Sequence, residues 1–222
     1  EMWTYTNLER GAGIVRRAGI NLGAPGCRLD GSGTWWLEYP SSGASALELP
    51  IEMADLSDAR WQPRPFVHHS SWVQDAGSST RWISASGLEG AVALKLQMAD
   101  EEDIGDPVTY TVRLHFIEPG QAAVGQRQFS ISLQGSEVIS GLDVAQRTGG
   151  PRQALVQQVT GVEVAGELLV SLQPDAAAQF APVLCGIEMI LEDGAEQTAL
   201  GGADDSYRWA APGAQRLTAQ AQ

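Results

Sequence analysis

Through its central third the chain alternates apolar and polar positions with a period of two. Tyr110, Val112, Leu114 and Phe116 interleave with Thr111, Arg113 and His115, and Phe129, Ile131 and Leu133 interleave with Ser130, Ser132 and Gln134. Successive side chains of a strand point to opposite faces, so each run reads as a β-strand with one buried face, and neither fits an amphipathic helix. Gln134-Gly135 predicts a tight hairpin after the second run, because Gly supplies the positive φ that two-residue loops require. The pattern predicts strands over 18–22, 34–39, 46–52, 66–69, 81–85, 91–98, 109–116, 128–133, 137–140, 155–160, 167–172 and 183–191. Short strands at this spacing, without a long helix between them, argue for an all-β sandwich or jelly roll rather than a βαβ fold.

The same region carries a resemblance. Leu114-His115-Phe116-Ile117-Glu118-Pro119, then Gly125-Gln126-Arg127, Phe129, Ile131 and Leu133, then Val138, Ile139, Leu142, Asp143 and Val144, resemble the malectin and malectin-like carbohydrate-binding family. Gly161 to Val164, Leu168 to Leu172 and Pro182 to Met189 continue the likeness, which spans residues 107–192 and, more loosely, 13–96. The resemblance implies a jelly-roll-like, galactose-binding-like β-sandwich over 13–193. Asn21 to Gly26, Gly33 to Pro40 and Trp82 to Gly90 are further similar to malectin-like regions that follow β-propellers in large bacterial exported proteins. On that likeness, residues 1–12 are expected to end a preceding domain or form a linker, with Trp3 to Leu8 the remnant of a propeller blade.

Composition adds limits. Net charge is −13 over 222 residues, with Lys95 the single lysine, and Arg16-Arg17 is the one adjacent basic pair. An acidic surface repels phosphate backbones and anionic lipids, so nucleic-acid binding and membrane insertion are not expected. No stretch reaches the eighteen or more apolar residues of a bilayer span. Cys27 and Cys185 could pair in an exported domain; Cys185 shares the inward phase of Val183, Ile187 and Met189, which suits a buried free thiol. After Glu192 the chain turns rich in Ala, Gly, Gln and Asp, so 194–222 reads as a mostly flexible tail, with Trp209 as an exception able to dock.

Sugar recognition sets the candidate site. Sugar faces present C–H groups to aromatic rings, and buried hydroxyls require fixed acceptors. The resemblance implies adjacent aromatics in the loop after Glu118 and an acidic ligand before Pro182. Those positions read Pro119-Gly120-Gln121-Ala122-Ala123-Val124 and Gln179-Phe180-Ala181, so the family's glucose-disaccharide set is not carried over residue by residue. Aromatics of the first half are substitutes: Trp36, Tyr39, Trp72 and Trp82 are the candidate carbohydrate-binding rings, with Glu118 as acceptor. The same rings could instead cap the sandwich or seal a domain interface.

Catalytic, metal and cofactor readings are weaker. His68 and His69 are adjacent, and neighbours in a strand point apart. His115 reads as a strand-surface histidine. Asp100-Glu101-Glu102-Asp103-Ile104-Gly105-Asp106 resembles a calcium loop but has Ile104 and Thr111 where EF-hand spacing needs ligands, so an acidic hairpin loop is expected. Gly11-Ala12-Gly13 lacks the third glycine of a dinucleotide fingerprint. Glu118 and Asp143 could be imagined as a glycosidase pair, yet strand-end capping or pairing with Arg127 or Arg147 accounts for them. The expected function is a non-catalytic, lectin-like accessory module without cofactor or metal. It would bind an oligosaccharide or polysaccharide and sit in the extracellular space or periplasm beside a β-propeller. The alternative is a structural or protein-interaction sandwich with no sugar site.

Overall fold

A computed structural model describes residues 13–41, 49–56, 61–74, 80–90, 92–120 and 122–192. The expectations for Trp3 to Leu8, Gly11-Ala12, Trp209 and the tail lie outside the described residues.

Fourteen strands are described: β1 (Arg17–Leu22), β2 (Arg28–Leu29), β3 (Trp35–Tyr39), β4 (Ile51–Asp55), β5 (Arg64–Val67), β6 (Ser86–Glu89), β7 (Val92–Gln97), β8 (Val108–Ile117), β9 (Phe129–Leu133), β10 (Ser136–Leu142), β11 (Ala154–Val164), β12 (Glu167–Pro174), β13 (Val183–Leu184) and β14 (Gly186–Leu191). One short helix, α1 (Val144–Thr148), follows β10. Six strands form a sheet in the order β11-β8-β14-β1-β3-β2, five form a second in the order β10-β9-β12-β7-β4, and β13-β6-β5 make a small third sheet. Pairing is antiparallel except between β1 and β3. The fold is all β, as the alternating pattern predicts.

The core lies between the two large sheets. Ile20, Leu37, Val112, Leu114, Phe116, Ile187 and Met189 of the first join Leu94, Leu96, Phe129, Ile131, Leu133, Val170 and Leu172 of the second in one cluster, all buried. Burying each of these side chains contributes roughly 1.5–3 kcal/mol, which is why the inward phase of the central strands is apolar. Gln134 (φ 50) and Gly135 (φ 78) form the two-residue link between β9 and β10, both at positive φ as a primed hairpin turn demands.

Two local expectations need correction, and three elements were not expected. Residues 83–85 form a 3-10 turn rather than a strand, and the strand begins only at Ser86. Ile83, Ser84 and Ala85 are all buried, so the segment has no solvent-facing phase and lies flat on the protein. His115 is 6% exposed, not a surface residue, because the outer face at the C-terminal end of β8 is itself covered. Strands β2 and β6 and helix α1 were not expected; α1 starts where the Asp143 side chain accepts the Gln146 N–H and ends at Gly149 in the left-handed conformation. No disulfide joins Cys27 and Cys185, of which Cys185 is buried and Cys27 half-buried.

Candidate functional site

Strand β8 ends at Ile117, and the next residue carries a carboxylate wholly out of solvent. Glu118 is 0% exposed. Its Oε1 accepts the backbone N–H groups of Gly120 at 3.0 Å and Ala122 at 3.2 Å, and its Oε2 accepts Arg127 Nε–H at 2.8 Å. The Arg127 side chain, 1% exposed, donates from Nη2 to Glu89 Oε1 at 2.8 Å and from Nη1 to the Ala181 carbonyl, with its guanidinium over the Phe180 ring. Glu89 accepts Arg64 at its other oxygen, 3.2 Å away. Two buried carboxylates thus share one planar donor, the geometry in which guanidinium outperforms ammonium. The network ties together the end of β8, the end of β6 and segment 180–182. Glu118 is therefore a fastening of the loops, with no oxygen turned to solvent for a sugar hydroxyl.

Beside that network sits an aromatic stack. Arg64, Phe66 and His68 alternate along one side of β5 and its extension, and a 3-10 turn over Ser70–Trp72 brings the indole back onto His68. The two rings stack with centroids 3.9 Å apart and planes 18° from parallel, and Phe66 lies 5.9 Å from His68. His69 points elsewhere, its Nδ1 accepting the Ser71 N–H at the start of the turn. Trp72 is half-buried on Val73, Ala85, Ile117 and Cys185, so one indole surface rests on the protein and the other carries the exposed His68 imidazole. Arg152 fixes the stack to the strand ends. Its N–H donates to Glu118 O at 2.8 Å and its carbonyl accepts Gln74 N–H at 2.8 Å. It does so at φ 59, a left-handed conformation uncommon for a residue with a Cβ.

The remaining candidate rings lie elsewhere. Trp36 and Trp35 point to opposite faces of β3, as strand geometry requires, and Trp35 and Tyr39 pack inward on the main core. Trp36 lies on the outer face yet is 1% exposed, so it presents no ring face to a ligand from solvent. It fills a trough left by two glycines: a Cβ on Gly19 would come within 2.4 Å of the indole, and one on Gly186 within 3.0 Å. Trp82 meets Trp36 edge-on at 5.8 Å and is half-buried, with the Arg28 guanidinium 4.9 Å above its ring. Burial of half-exposed Tyr39 raises its phenol above the usual range. Of the five candidates, only Trp72 and Glu118 meet at one end of the sandwich, and they do so through Arg152. Sequence reasoning missed His68 as the ring stacked on Trp72. The available signal was the phase it shares with Phe66.

Around Trp36 the outer face is polar and enclosed. Asp30 accepts Trp36 Nε1–H at 3.0 Å, Ser32 N–H at 2.8 Å and Thr34 N–H at 3.0 Å. Burial works against ionisation of Asp30, but the bonds from Trp36, Ser32 and Thr34 outweigh it and hold the carboxyl below its usual range. Glu188 accepts Arg17 and Arg113 at 3.1 Å each and the Thr34 hydroxyl. Among the described residues, no group of three or more His, Cys, Asp or Glu side chains could hold a metal ion, and no helix is long and apolar enough to cross a membrane.

Comparison with known proteins places this architecture. The family model for the Malectin domain matches residues 104–181. Solved structures share the fold at low identity. The extracellular domain of ANXUR1 from Arabidopsis thaliana superposes with a TM-score of 0.60 at 16% identity, covering 82% of this chain and 49% of that one. The plant receptor-like kinase ANX2 gives 0.59 at 16%, with the same coverage of 82% and 49%. A β-glucuronidase from Bacteroides uniformis gives 0.52 at 14%, covering 79% of this chain and 18% of the enzyme. The chain thus spans about half of each plant structure and less than a fifth of the enzyme. No curated protein matches the sequence.

Proposed function

We propose, on the premise that residues 104–181 carry a malectin domain, that this chain is a non-catalytic glycan-binding module of a larger exported protein. The observation that carries the reading is the stacked pair His68–Trp72, 3.9 Å between centroids, held at the loop end of the sandwich by Arg152. An exposed ring backed by a second, anchored ring is a platform for the C–H face of a pyranose. Its ligand is an oligosaccharide or polysaccharide chain, its location extracellular or periplasmic, and a β-propeller is the neighbouring domain. The carboxylates support binding over hydrolysis, because Glu118 and Glu89 are engaged around Arg127 and Asp143 caps α1. Acid–base cleavage needs a carboxyl free to exchange a proton with the substrate. One observation favours protein interaction as the second reading: Val67, 56% exposed, stands next to His68.

The test is a glycan array probed with the purified chain, alongside Trp72→Ala and His68→Ala. Loss of binding in Trp72→Ala, with a smaller loss in His68→Ala and the fold retained in both, supports the platform. Silence of the wild type across gluco-, galacto- and uronic-acid glycans, or binding untouched by Trp72→Ala, refutes it.

A further inference from the structure

Among the described residues, one buried side-chain nitrogen has no hydrogen-bond partner, His115 Nε2. Its surroundings connect it to the platform. Glu38, Asn21, Gly186 and His115 form one cross-strand row on the outer face of the six-stranded sheet. The His115 ring stands edge-on to Trp36, centroids 5.1 Å apart and planes at 89°. Ile83 of the 3-10 turn presses on the same Gly186 position as Trp36, and Trp82 abuts the indole. From the turn the backbone leads directly to the site: Ala85 N–H donates to Trp82 O at 3.3 Å, and His68 N–H donates to Ala85 O at 2.8 Å. Each link is a contact, from His115 through Trp36, Trp82 and Ala85 to His68.

An imidazolium at this position would be poorly served. It needs acceptors for two N–H groups, and Nε2 has none. The charged groups facing it are already matched. Glu188 on β14 is shared by Arg17 of β1 and Arg113 of β8, Asp30 is occupied by Trp36, Ser32 and Thr34, and Arg28 lies over Trp82. Glu38, the carboxylate in the row, also has a partner of its own.

We propose that His115 is an acid-operated latch: its protonation dislodges the Trp82–Ala85 turn, loosens the His68–Trp72 stack, and releases glycan in acid. The release part rests on the platform reading; the loosening does not. Burial, the main cause, pushes the imidazole down to about 4, with Glu188 opposing, Arg113 adding and Asp30 opposing. An opened turn returns the ring to water, where His titrates near 6.5. Proton linkage then raises the opened population about 20-fold between pH 7 and pH 5.

Amide hydrogen exchange on the full chain tests this at pH 7 and pH 5, corrected for intrinsic exchange rates. His68 and Ala85 amides are expected to lose protection about 20-fold while staying far less protected than the Leu172 amide in β12, which reports global unfolding; protection equal to that of Leu172 at both pH values overturns the local latch. His115→Phe, and the polar replacement His115→Gln, should show no such pH dependence. Equal loss in wild type and variants, or none in the wild type, overturns the proposal. Should neither variant fold, nitrogen NMR of the His115 ring decides: titration in step with the His68 amide supports the latch, and titration without it overturns it. An array at both pH values separates the two readings. Loosening without glycan binding at either pH refutes the platform alone, whereas binding equal at both pH values overturns the latch.

Discussion

Replacing Arg127 by Met is the sharpest test of how the loop end is held. Methionine keeps most of the side-chain volume and removes the charge, leaving Glu118 at 0% exposure and Glu89 at 7% with their Arg127 partner gone. Breaking a buried ion pair from one side costs about 3–5 kcal/mol, because the remaining charge is stranded in a poorly solvated site. Glu89 retains Arg64, and Glu118 retains the backbone donors of Gly120 and Ala122, which pulls the expectation to the lower half of that range. Loss of the bond to the Ala181 carbonyl adds about 1 kcal/mol. The expected total is about 4 kcal/mol, a large part of the ~5–15 kcal/mol that holds a domain together. Urea unfolding followed by circular dichroism measures it. The same scan of Glu118→Gln and of the double variant closes a thermodynamic cycle, and a coupling of about 2 kcal/mol is expected for residues in one network. A single-variant loss below about 1 kcal/mol, or additive effects within about 0.5 kcal/mol, would refute the claim that this network fastens the loops.

Two further changes probe the covered outer face. Gly19→Ala sets a Cβ about 2.4 Å from the Trp36 ring, and a melting scan should show a loss of about 1–3 kcal/mol, partly recovered in Gly19→Ala/Trp36→Leu. His115 makes wild-type stability depend on acid. Its folded pKa of about 4 lies below the unfolded value near 6.5, so its contribution is intact above about pH 6.5 and is lost as pH falls toward 4, up to about 3 kcal/mol. Urea midpoints of the wild type and His115→Phe should therefore diverge below about pH 6, and parallel curves would remove His115 from the account.

Strands that bury one face were legible because water imposes the alternation. Tyr110 to Leu114 and Phe129 to Leu133 show it without interruption, and the hairpin at Gln134-Gly135 follows from the φ its two residues adopt. Where a strand is covered on both faces, the pattern loses its meaning. Ile83, Ser84 and Ala85 are apolar enough to resemble a strand, yet all three are buried in a turn lying against the sheet. Nothing local distinguishes the two, since the covering surface comes from Gly186, far away in sequence. Helix α1 escaped notice because five residues are too few for a helical period; its Asp143 cap and Gly149 exit were the only signs.

The candidate site was harder to read for the same reason, and Trp36 shows why. A tryptophan on the phase opposite the core looks like a ring offered to solvent, and strand periodicity supports that expectation. What hides it is a pair of missing side chains, Gly19 and Gly186, which lie diagonally across the antiparallel pairing of β1 with β14, Gly19 opposite Glu188 and Gly186 opposite Asn21. Glycine inside a strand signals close approach by another group, so Gly19 ahead of Ile20 and Gly186 ahead of Ile187 were evidence for a covered outer face. Taken with His115, in the row of Gly186, they turn that face into a second small enclosed region. The ring left to meet a ligand is then the one outside the trough. On the proposed reading that ring is His68, exposed and backed by Trp72, whose turn hangs on Arg152 and Ala85 rather than on the sheet, so the proposed platform is also a part of the molecule that can be moved.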